Sequence, residues 1–210
     1  MSSQLIVAVS TGAQFVKFNA STEFVVAGLG DFTDIIRGFE ASQEPHFVAS
    51  GVETTEGVVS LQMALTRRNG TAESPVFDGF FANGNELGRL RLTLVKAATC
   101  GAAVHRVSRG TYGHIIPGAD LQVESHESVN DLIRGMARSK SGTRFVTKVT
   151  VTSRYGKATT QFVPIYRSTS EGGMRFEGFY ANGNQLGAAY LTITSAGARF
   201  ETKERVDIWA

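Results

Sequence analysis

The sequence predicts an α+β fold made of two tandem homologous units, each a mostly antiparallel sheet with one packed helix, related by a pseudo-twofold axis. The first observation is an internal repeat: FDGFFANGNELG (77–88) recurs as FEGFYANGNQLG (176–187), with nine of the 12 positions identical. The second is a helical apolar stripe, and the third is a series of short strand-like segments. The 210 residues then divide into a first repeat, 1–99, and a second repeat, 100–210.

The repeat extends well beyond this segment. DIIRGF (34–39) matches DLIRGM (131–136), and FV (47–48) matches FV (145–146). The spacing between equivalent residues grows from 97 to 99 along the chain, which small loop insertions explain. Because self-similarity over a whole chain is typical of a duplicated unit, we expect the two repeats to fold alike.

One helix is predicted in each repeat. In the first repeat, Asp31 is the expected N-cap and the helix runs through Phe39. Its apolar residues recur at i, i+3, i+4 and i+7, a pattern that packs a helix on a sheet. These residues are Phe32, Ile35, Ile36 and Phe39.

The other apolar segments are predicted as strands, because apolar and polar residues alternate in several of them. In the first repeat they are 14–18, 23–26, 46–52, 58–66, 76–82 and 88–95. Asn83, Gly84 and Asn85 predict a turn between the last two, since Asn and Gly tolerate positive φ. A unit of about 100 residues with this content can hold a small core of its own.

The order of these elements resembles the N-terminal, sheet-rich part of plant ribosome-inactivating proteins. VKFN (16–19), the helix FTDIIR (32–37) and GFFAN (79–83) carry the resemblance in the first repeat. Their counterparts in the second repeat are 121–123, 129–134 and 178–182. The resemblance implies a related topology for each repeat and, at most, an RNA N-glycosylase activity.

The catalytic residues of that family are not matched. Val76 and Arg175 stand where the resemblance calls for an adenine-stacking tyrosine, and Ala196 stands where it calls for the catalytic glutamate. We therefore predict a protein that is not an enzyme.

Other catalytic and metal signals are weak in this sequence. The four histidines never pair at metal-ligand spacing, the chain has one cysteine, and no Gly-x-Ser-x-Gly segment occurs. We predict no catalytic residues, no metal and no cofactor. No run approaches about 18 consecutive apolar residues, so we predict no membrane span, and the expected location is the cytoplasm.

The repeated turn is one candidate binding site. Adjacent residues of a strand face opposite sides, so one ring of each aromatic pair is expected in the core and the other on the surface. An exposed ring with nearby Asn amides suits a sugar ring or a nucleobase, although folding alone also favours such turns. The candidate residues are Phe80, Phe81, Asn83 and Asn85, with Phe179, Tyr180, Asn182 and Asn184 in the second repeat.

The charge distribution supplies a second candidate site. The net charge of +2 hides an acidic first repeat, with 7 basic and 10 acidic residues, and a basic second repeat, with 14 and 9. No acidic residue occurs between Asp131 and Glu171. The predicted polyanion-binding residues in this stretch are Arg134, Arg138, Lys140, Arg144, Lys148, Arg154 and Lys157. A one-sided basic surface suits a phosphate backbone, and it equally suits docking of the acidic repeat or of another subunit.

These observations predict a non-enzymatic protein that binds nucleic acid or another polyanion through the second repeat. Three alternatives stay open: a lectin-like carbohydrate-binding module that uses both turns, a self-assembling capsid-like or tail-like protein, and a degenerate RNA N-glycosylase. A homo-oligomer is compatible with each of them.

Overall fold

The computed structural model of the chain describes residues 12–19, 23–25, 29–41, 46–94, 106–139, 145–153 and 156–204. The strands of the first repeat are β1 (Gly12–Phe18), β2 (Glu23–Val25), β3 (His46–Thr54), β4 (Gly57–Gly70), β5 (Pro75–Asn83) and β6 (Glu86–Thr93). Those of the second are β7 (Val107–Gly113), β8 (Asp120–Ser125), β9 (Thr147–Ser153), β10 (Gly156–Ser170), β11 (Gly173–Asn182), β12 (Gln185–Thr194) and β13 (Gly197–Thr202). The helices are α1 (Leu29–Ala41) and α2 (Val129–Arg138).

The predicted fold of two like α+β units is wrong, because the protein is mostly β and only one repeat forms a closed barrel. Strands make up 68% of the described structure, and six of them close into a barrel. Hydrophobic alternation underestimates the strands, since β4 continues through polar positions such as Arg67 and Arg68 that pair with β5. Closure of the barrel depends on pairing between distant strands, which no local pattern indicates.

The individual elements of the first repeat lie close to their predicted positions. The helix is confirmed, but it begins at Leu29, so Asp31 lies inside it and is not its N-cap. The predicted turn is also confirmed: Gly84 has φ +73°, a value that disfavours any side chain. Within the described residues, neither α1 nor α2 has the length and apolar character of a membrane-spanning helix.

The first repeat forms an open sheet of five strands in the order β2-β6-β5-β4-β3. β2 pairs directly with β6, in parallel. The helix α1 places Ile35 in the core of this repeat, and Ile36 and Phe39 pack against it. The helical stripe thus covers one face of the sheet, as the 3.6-residue period requires.

The second repeat forms the closed barrel, in the order β10-β11-β12-β13-β8-β9. β13 lies between β12 and β8, which brings β8 round to pair with β9. Phe200 fills the interior together with Phe162 and Tyr180, and both ring pairs meet edge to face with centroids 5.4 Å apart. The helix α2 begins at the N-cap Ser128 and buries Leu132 in the same core.

A two-stranded antiparallel ribbon, β1 with β7, joins the two repeats. Gln14 pairs with Thr111, and these residues are equivalent positions of the two repeats. The equivalent rings of Phe15 and Tyr112 contact edge to face, with centroids 5.4 Å apart. Because each strand of the ribbon pairs with its own counterpart, a contact made by one repeat is expected to recur in the other.

Candidate anion-binding groove between the repeats

The Asn-Gly-Asn turn of the second repeat, 182–184, is held by a glutamine of the first. Gln62 on β4 donates its backbone N–H to the carbonyl of Asn184, at 3.0 Å. The side-chain Oε1 of Gln62 accepts the N–H of Leu186, at 2.7 Å. This turn therefore belongs to an interface inside the molecule.

The turn of the first repeat, 83–85, is held in the same way by the second repeat. Gln161 on β10 donates its N–H to the carbonyl of Asn85, at 2.8 Å, and its Oε1 accepts the N–H of Leu87, at 2.7 Å. Gln62 and Gln161 are equivalent residues, so the two interactions are reciprocal. Each repeat thus supplies the groups that complete the other's turn.

The side-chain amide of the first asparagine in each turn bonds to the backbone at or just beyond the end of a ribbon strand. Asn83 Oδ1 accepts the N–H of Phe18 at 2.9 Å, and Asn83 Nδ2 donates to the Phe18 carbonyl at 3.2 Å. Asn182 makes the equivalent pair of bonds to Ile115, at 3.1 and 2.8 Å. Both amides are therefore occupied by backbone, and they support folding rather than ligand recognition.

The four aromatic residues beside the turns are all buried, so the predicted exposed ring of each pair is not found. Phe80, Phe81, Phe179 and Tyr180 are 3%, 4%, 0% and 1% exposed. One ring of each pair lies in the core of its own repeat, and the other lies between the repeats, where Phe80 and Phe179 meet at 6.3 Å. Both rings of each pair are buried because the two faces of β5 and of β11 are both covered. The core of the same repeat covers one face, and the other repeat covers the opposite face. The apolar cluster between the repeats also contains Ala64, Ala82, Val163 and Leu186.

The last asparagine of each turn also makes contacts inside the molecule, through its side chain in Asn85 and through its backbone carbonyl in Asn184. Asn85 Nδ2 donates to the carbonyls of Gly113 and Thr159, at 2.7 and 2.9 Å. The Oδ1 atoms of Asn85 and Asn184 are buried and accept no hydrogen bond from the described residues. A sugar-binding site built on these turns is therefore not favoured by the geometry.

The predicted basic residues that the structure describes lie on three different elements. Arg134 and Arg138 are exposed on α2, and Arg134 forms an ion pair with Asp131 at 2.6 Å. Lys148 and Lys157 are exposed on the neighbouring strands β9 and β10. Three more predicted residues lie outside the described residues: Lys140, Arg144 and Arg154.

Lys148 and Lys157 line a groove between the repeats, and a third lysine joins them. Lys17 on β1 lies on the same groove, which has a volume of about 340 Å³. We call it the lysine groove, defined by these three residues. Its other polar and aromatic lining includes Phe15, Asn85, Glu86, Thr111, Tyr112 and Thr159. Burial raises the pKa of Tyr112, which keeps its hydroxyl protonated and able to donate a hydrogen bond.

The three lysines differ in their ion pairs. Lys157 contacts Glu124 at 2.6 Å, and Lys17 lies 3.7 Å from Glu86. Lys148 has no carboxylate partner among the residues that the structure describes. Hydrogen bonds from Lys157 and Thr152 hold the pKa of Glu124 below its usual value, so this carboxylate stays charged.

The equivalent positions on the opposite side of the molecule carry no lysine. By the repeat spacing, His114 replaces Lys17, Ala49 replaces Lys148, Val58 replaces Lys157 and Gln185 replaces Glu86. We call these four positions the reciprocal surface. Val58 is 72% exposed, the highest value among large apolar side chains of the described residues.

A second, larger groove lies beside the barrel. It has a volume of about 860 Å³ and is lined by segments of β8 and β13, together with the ends of β9 and β12. Its charged residues Asp120 and Arg199 form an ion pair. Within the described residues, no group of three or more His, Cys, Asp or Glu side chains is placed to hold a metal ion.

Comparison with protein families, with curated proteins and with solved structures gives no match. The resemblance to ribosome-inactivating proteins therefore stays a prediction from short motifs.

Sequence reasoning missed Lys17 and the glutamine pair. The acidic charge of the first repeat as a whole conceals Lys17, and this residue lines the same groove as Lys148 only in the folded chain. Gln62 and Gln161 were detectable, since SLQ (60–62) and TTQ (159–161) align at the repeat spacing. An identical polar residue on two otherwise divergent strands indicates a shared contact.

Proposed function

We propose that the protein binds nucleic acid or another polyanion through the lysine groove. One observation carries the proposal: Lys17, Lys148 and Lys157 come from three strands of both repeats and line one groove. Clustered ammonium groups in a concave surface concentrate field lines and attract phosphate groups. The site thus includes two of the predicted basic residues and adds one from the first repeat.

The charge state of the groove supports this function. Lys148 has no carboxylate partner among the described residues, while Lys17 and Lys157 are paired with carboxylates at the surface. Ion pairs between exposed side chains contribute little to stability, so a phosphate can displace Glu86 or Glu124 at little cost.

Binding of this kind is electrostatic and tolerant of sequence. The rings that line the groove, Phe15 and Tyr112, already contact each other and cover Gly84 and Gly183. We therefore assign the affinity to phosphate contacts and not to base stacking, in contrast to the stacking that the sequence predicts for the exposed turns.

The experiment is a fluorescence anisotropy titration with a labelled single-stranded RNA, repeated from about 50 to 200 mM salt. The variant K17Q/K148Q/K157Q should lower the slope of log K against log salt by at most about 2, because a full phosphate contact contributes about 0.7 and Lys17 and Lys157 are already paired with carboxylates. The matched control R67Q/R89Q/R167Q removes three exposed arginines that have no ion pair among the described residues and lie outside the groove.

The control should keep most of the slope, although it has the same net charge as the lysine variant. Equal losses in the two variants would contradict a localised site, and no binding by the unmodified protein would reject the proposal. A titration with heparin separates a general polyanion site from one that prefers nucleic acid.

A further inference from the structure

The strand β3 ends the open sheet of the first repeat. It pairs with β4 along its whole length, from His46 opposite Leu65 to Thr54 opposite Gly57. In the part of the chain that the structure describes, the other side of β3 has no strand partner. Among the described residues, the outward-facing backbone donors and acceptors of this nine-residue strand therefore have no strand partner.

The equivalent edge in the second repeat is occupied by an antiparallel strand. There β9 pairs with β8, at positions 150–152. By the repeat spacing, these positions correspond to 51–53 on β3. The backbone at this place in the fold thus accepts an added antiparallel strand. Among the described residues, only the second repeat supplies one, because the described counterpart of β8, Glu23–Val25, pairs with β6 instead.

The pattern of backbone groups on the open edge follows from the hairpin. Thr54 and Gly57 close a two-residue turn, and the closing pair of such a hairpin is hydrogen-bonded. Alternation along an antiparallel strand then directs the N–H and carbonyl groups of Glu53 and Gly51 away from β4.

The edge has few of the features that usually block strand addition. Between 47 and 54 it contains no proline, and Glu53 is the only charged residue. The strongly exposed Val58 lies opposite Glu53 in register. A bare edge beside an exposed apolar side chain is typical of a strand-pairing surface.

We propose that two copies of this chain associate by antiparallel pairing of their β3 strands, which joins two five-stranded sheets into one. We choose a second β3 as the partner because its edge has the same length and the same outward-facing backbone N–H and carbonyl groups. Pairing of two identical edges about a two-fold axis uses both edges and therefore stops at a dimer. A two-fold axis at Gly51 places each Glu53 opposite Ala49 of the other copy. No like charges then face each other directly. The proposal is independent of nucleic-acid binding.

Sedimentation velocity of the full chain over a range of concentrations tests the proposal. A monomer–dimer equilibrium is expected, and high salt should preserve the dimer because backbone pairing is not ionic and the first repeat is acidic. Nucleic-acid binding has the opposite salt dependence, so one proposal can fail without the other.

The variant Glu53→Pro removes one outward N–H and leaves the bonds to β4 in place. It should raise the dimer dissociation constant by at least about tenfold. The matched control Glu53→Ala keeps the N–H and should dimerise like the unmodified protein. Circular dichroism checks that both variants are folded.

Hydrogen exchange on the unmodified protein gives a second readout that needs no variant. Amide protection at residues 51 and 53 should rise with protein concentration, while residues 50 and 52, which face β4, stay protected throughout. A monomer at all concentrations, an open-ended oligomer, or a dimer that tolerates Glu53→Pro would overturn the proposal.

Discussion

The lysine groove and the reciprocal surface occupy equivalent places in the duplicated chain, yet they differ in charge. Three lysines line the first, whereas the second has His114, Ala49 and Val58 at the same positions. The packing of the turn glycine is the same in the lysine groove and in the reciprocal surface. In each, a glycine of the turn packs under an aromatic ring of the ribbon, Gly84 under Phe15 and Gly183 under Tyr112.

This difference separates residues that serve folding from residues that serve another purpose. Gln62 and Gln161 repeat with equivalent partners, because each satisfies a backbone N–H of the opposite repeat. Asn83 and Asn182 also repeat with equivalent partners, which are backbone groups of their own repeats. Exposed lysines contribute little to stability, so packing does not require Lys17, Lys148 or Lys157. Their restriction to one side is the reason for assigning them to a ligand.

The largest expected effect comes from breaking the core that both sides share. Phe179→Ala should lower the free energy of unfolding by about 3–5 kcal/mol, because it leaves a cavity between the repeats. Urea denaturation measures the loss. Tyr166→Ala, at a side chain that is 44% exposed, is the control and should change stability by about 0.5 kcal/mol or less. A small effect of Phe179→Ala would mean that the repeats do not depend on their contact.

Removal of the side-chain amide of the first asparagine in a turn should have the next largest effect on stability. Asn182→Ala leaves the N–H and carbonyl of Ile115 unpaired in a buried site, which should cost about 2–3 kcal/mol. The equivalent Asn83→Ala should cost about 1 kcal/mol, since Asn83 is only half-buried. Thermal unfolding of both variants compares them. The reverse order would show that burial does not govern the difference.

Lysines grafted onto the reciprocal surface should create a second site. When V58K and H114K are added to the K17Q/K148Q/K157Q variant, the slope of log K against log salt should increase again by about 1.4. Each of the two grafted lysines contributes one phosphate contact, worth about 0.7. Both grafted positions are exposed, so stability should not change. Anisotropy with the same RNA measures the slope. Failure to restore any binding would show that the groove contributes more than charge.

The three lysines should not contribute equally. Lys148→Gln removes an ammonium group that no described carboxylate neutralises, and it should lower the salt slope by about 0.7. Lys157→Gln should have a smaller effect, because Glu124 already neutralises part of that charge. The two single variants serve as each other's control, since they lie on neighbouring strands. A larger effect at Lys157 would mean that the ligand replaces Glu124 completely.

The smallest expected effect concerns pH. The depressed pKa of Glu124 keeps the Lys157 pair intact until the pH falls below the usual carboxyl range of about 4.5. The stability that this pair contributes is present above the unfolded pKa and is lost as the pH falls through the lower folded value. RNA binding should tighten slightly over the same interval, because protonation of Glu124 frees Lys157. Glu124→Gln should bind slightly tighter at neutral pH and should not tighten on acidification; a tightening that persists in this variant would point to another group.

The repeat made much of this structure predictable. Equivalent residues such as Asn83 and Asn182, or Gln62 and Gln161, make equivalent contacts. The helix at 29–41 and the strands of the first repeat follow from local periodicity, which depends on neighbours within a few residues.

The rest depends on contacts between distant parts of the chain. The barrel closes because β13 separates β12 from β8, and alternation within β13 does not indicate its neighbours. Both rings of the pair Phe80–Phe81 are buried because a second layer covers the sheet, whereas a strand pattern describes one sheet alone. Lys17 joins Lys148 only through the ribbon of β1 and β7.

The most direct test of the proposed site is chemical modification of lysines in the presence and absence of RNA, followed by mass spectrometry. Lys17, Lys148 and Lys157 should become protected together, with the same dependence on RNA concentration. Lys203, which contacts Glu177 and is not part of the groove lining, is the internal control and should not change. Saturating RNA that leaves all three groove lysines fully reactive would contradict binding at this groove.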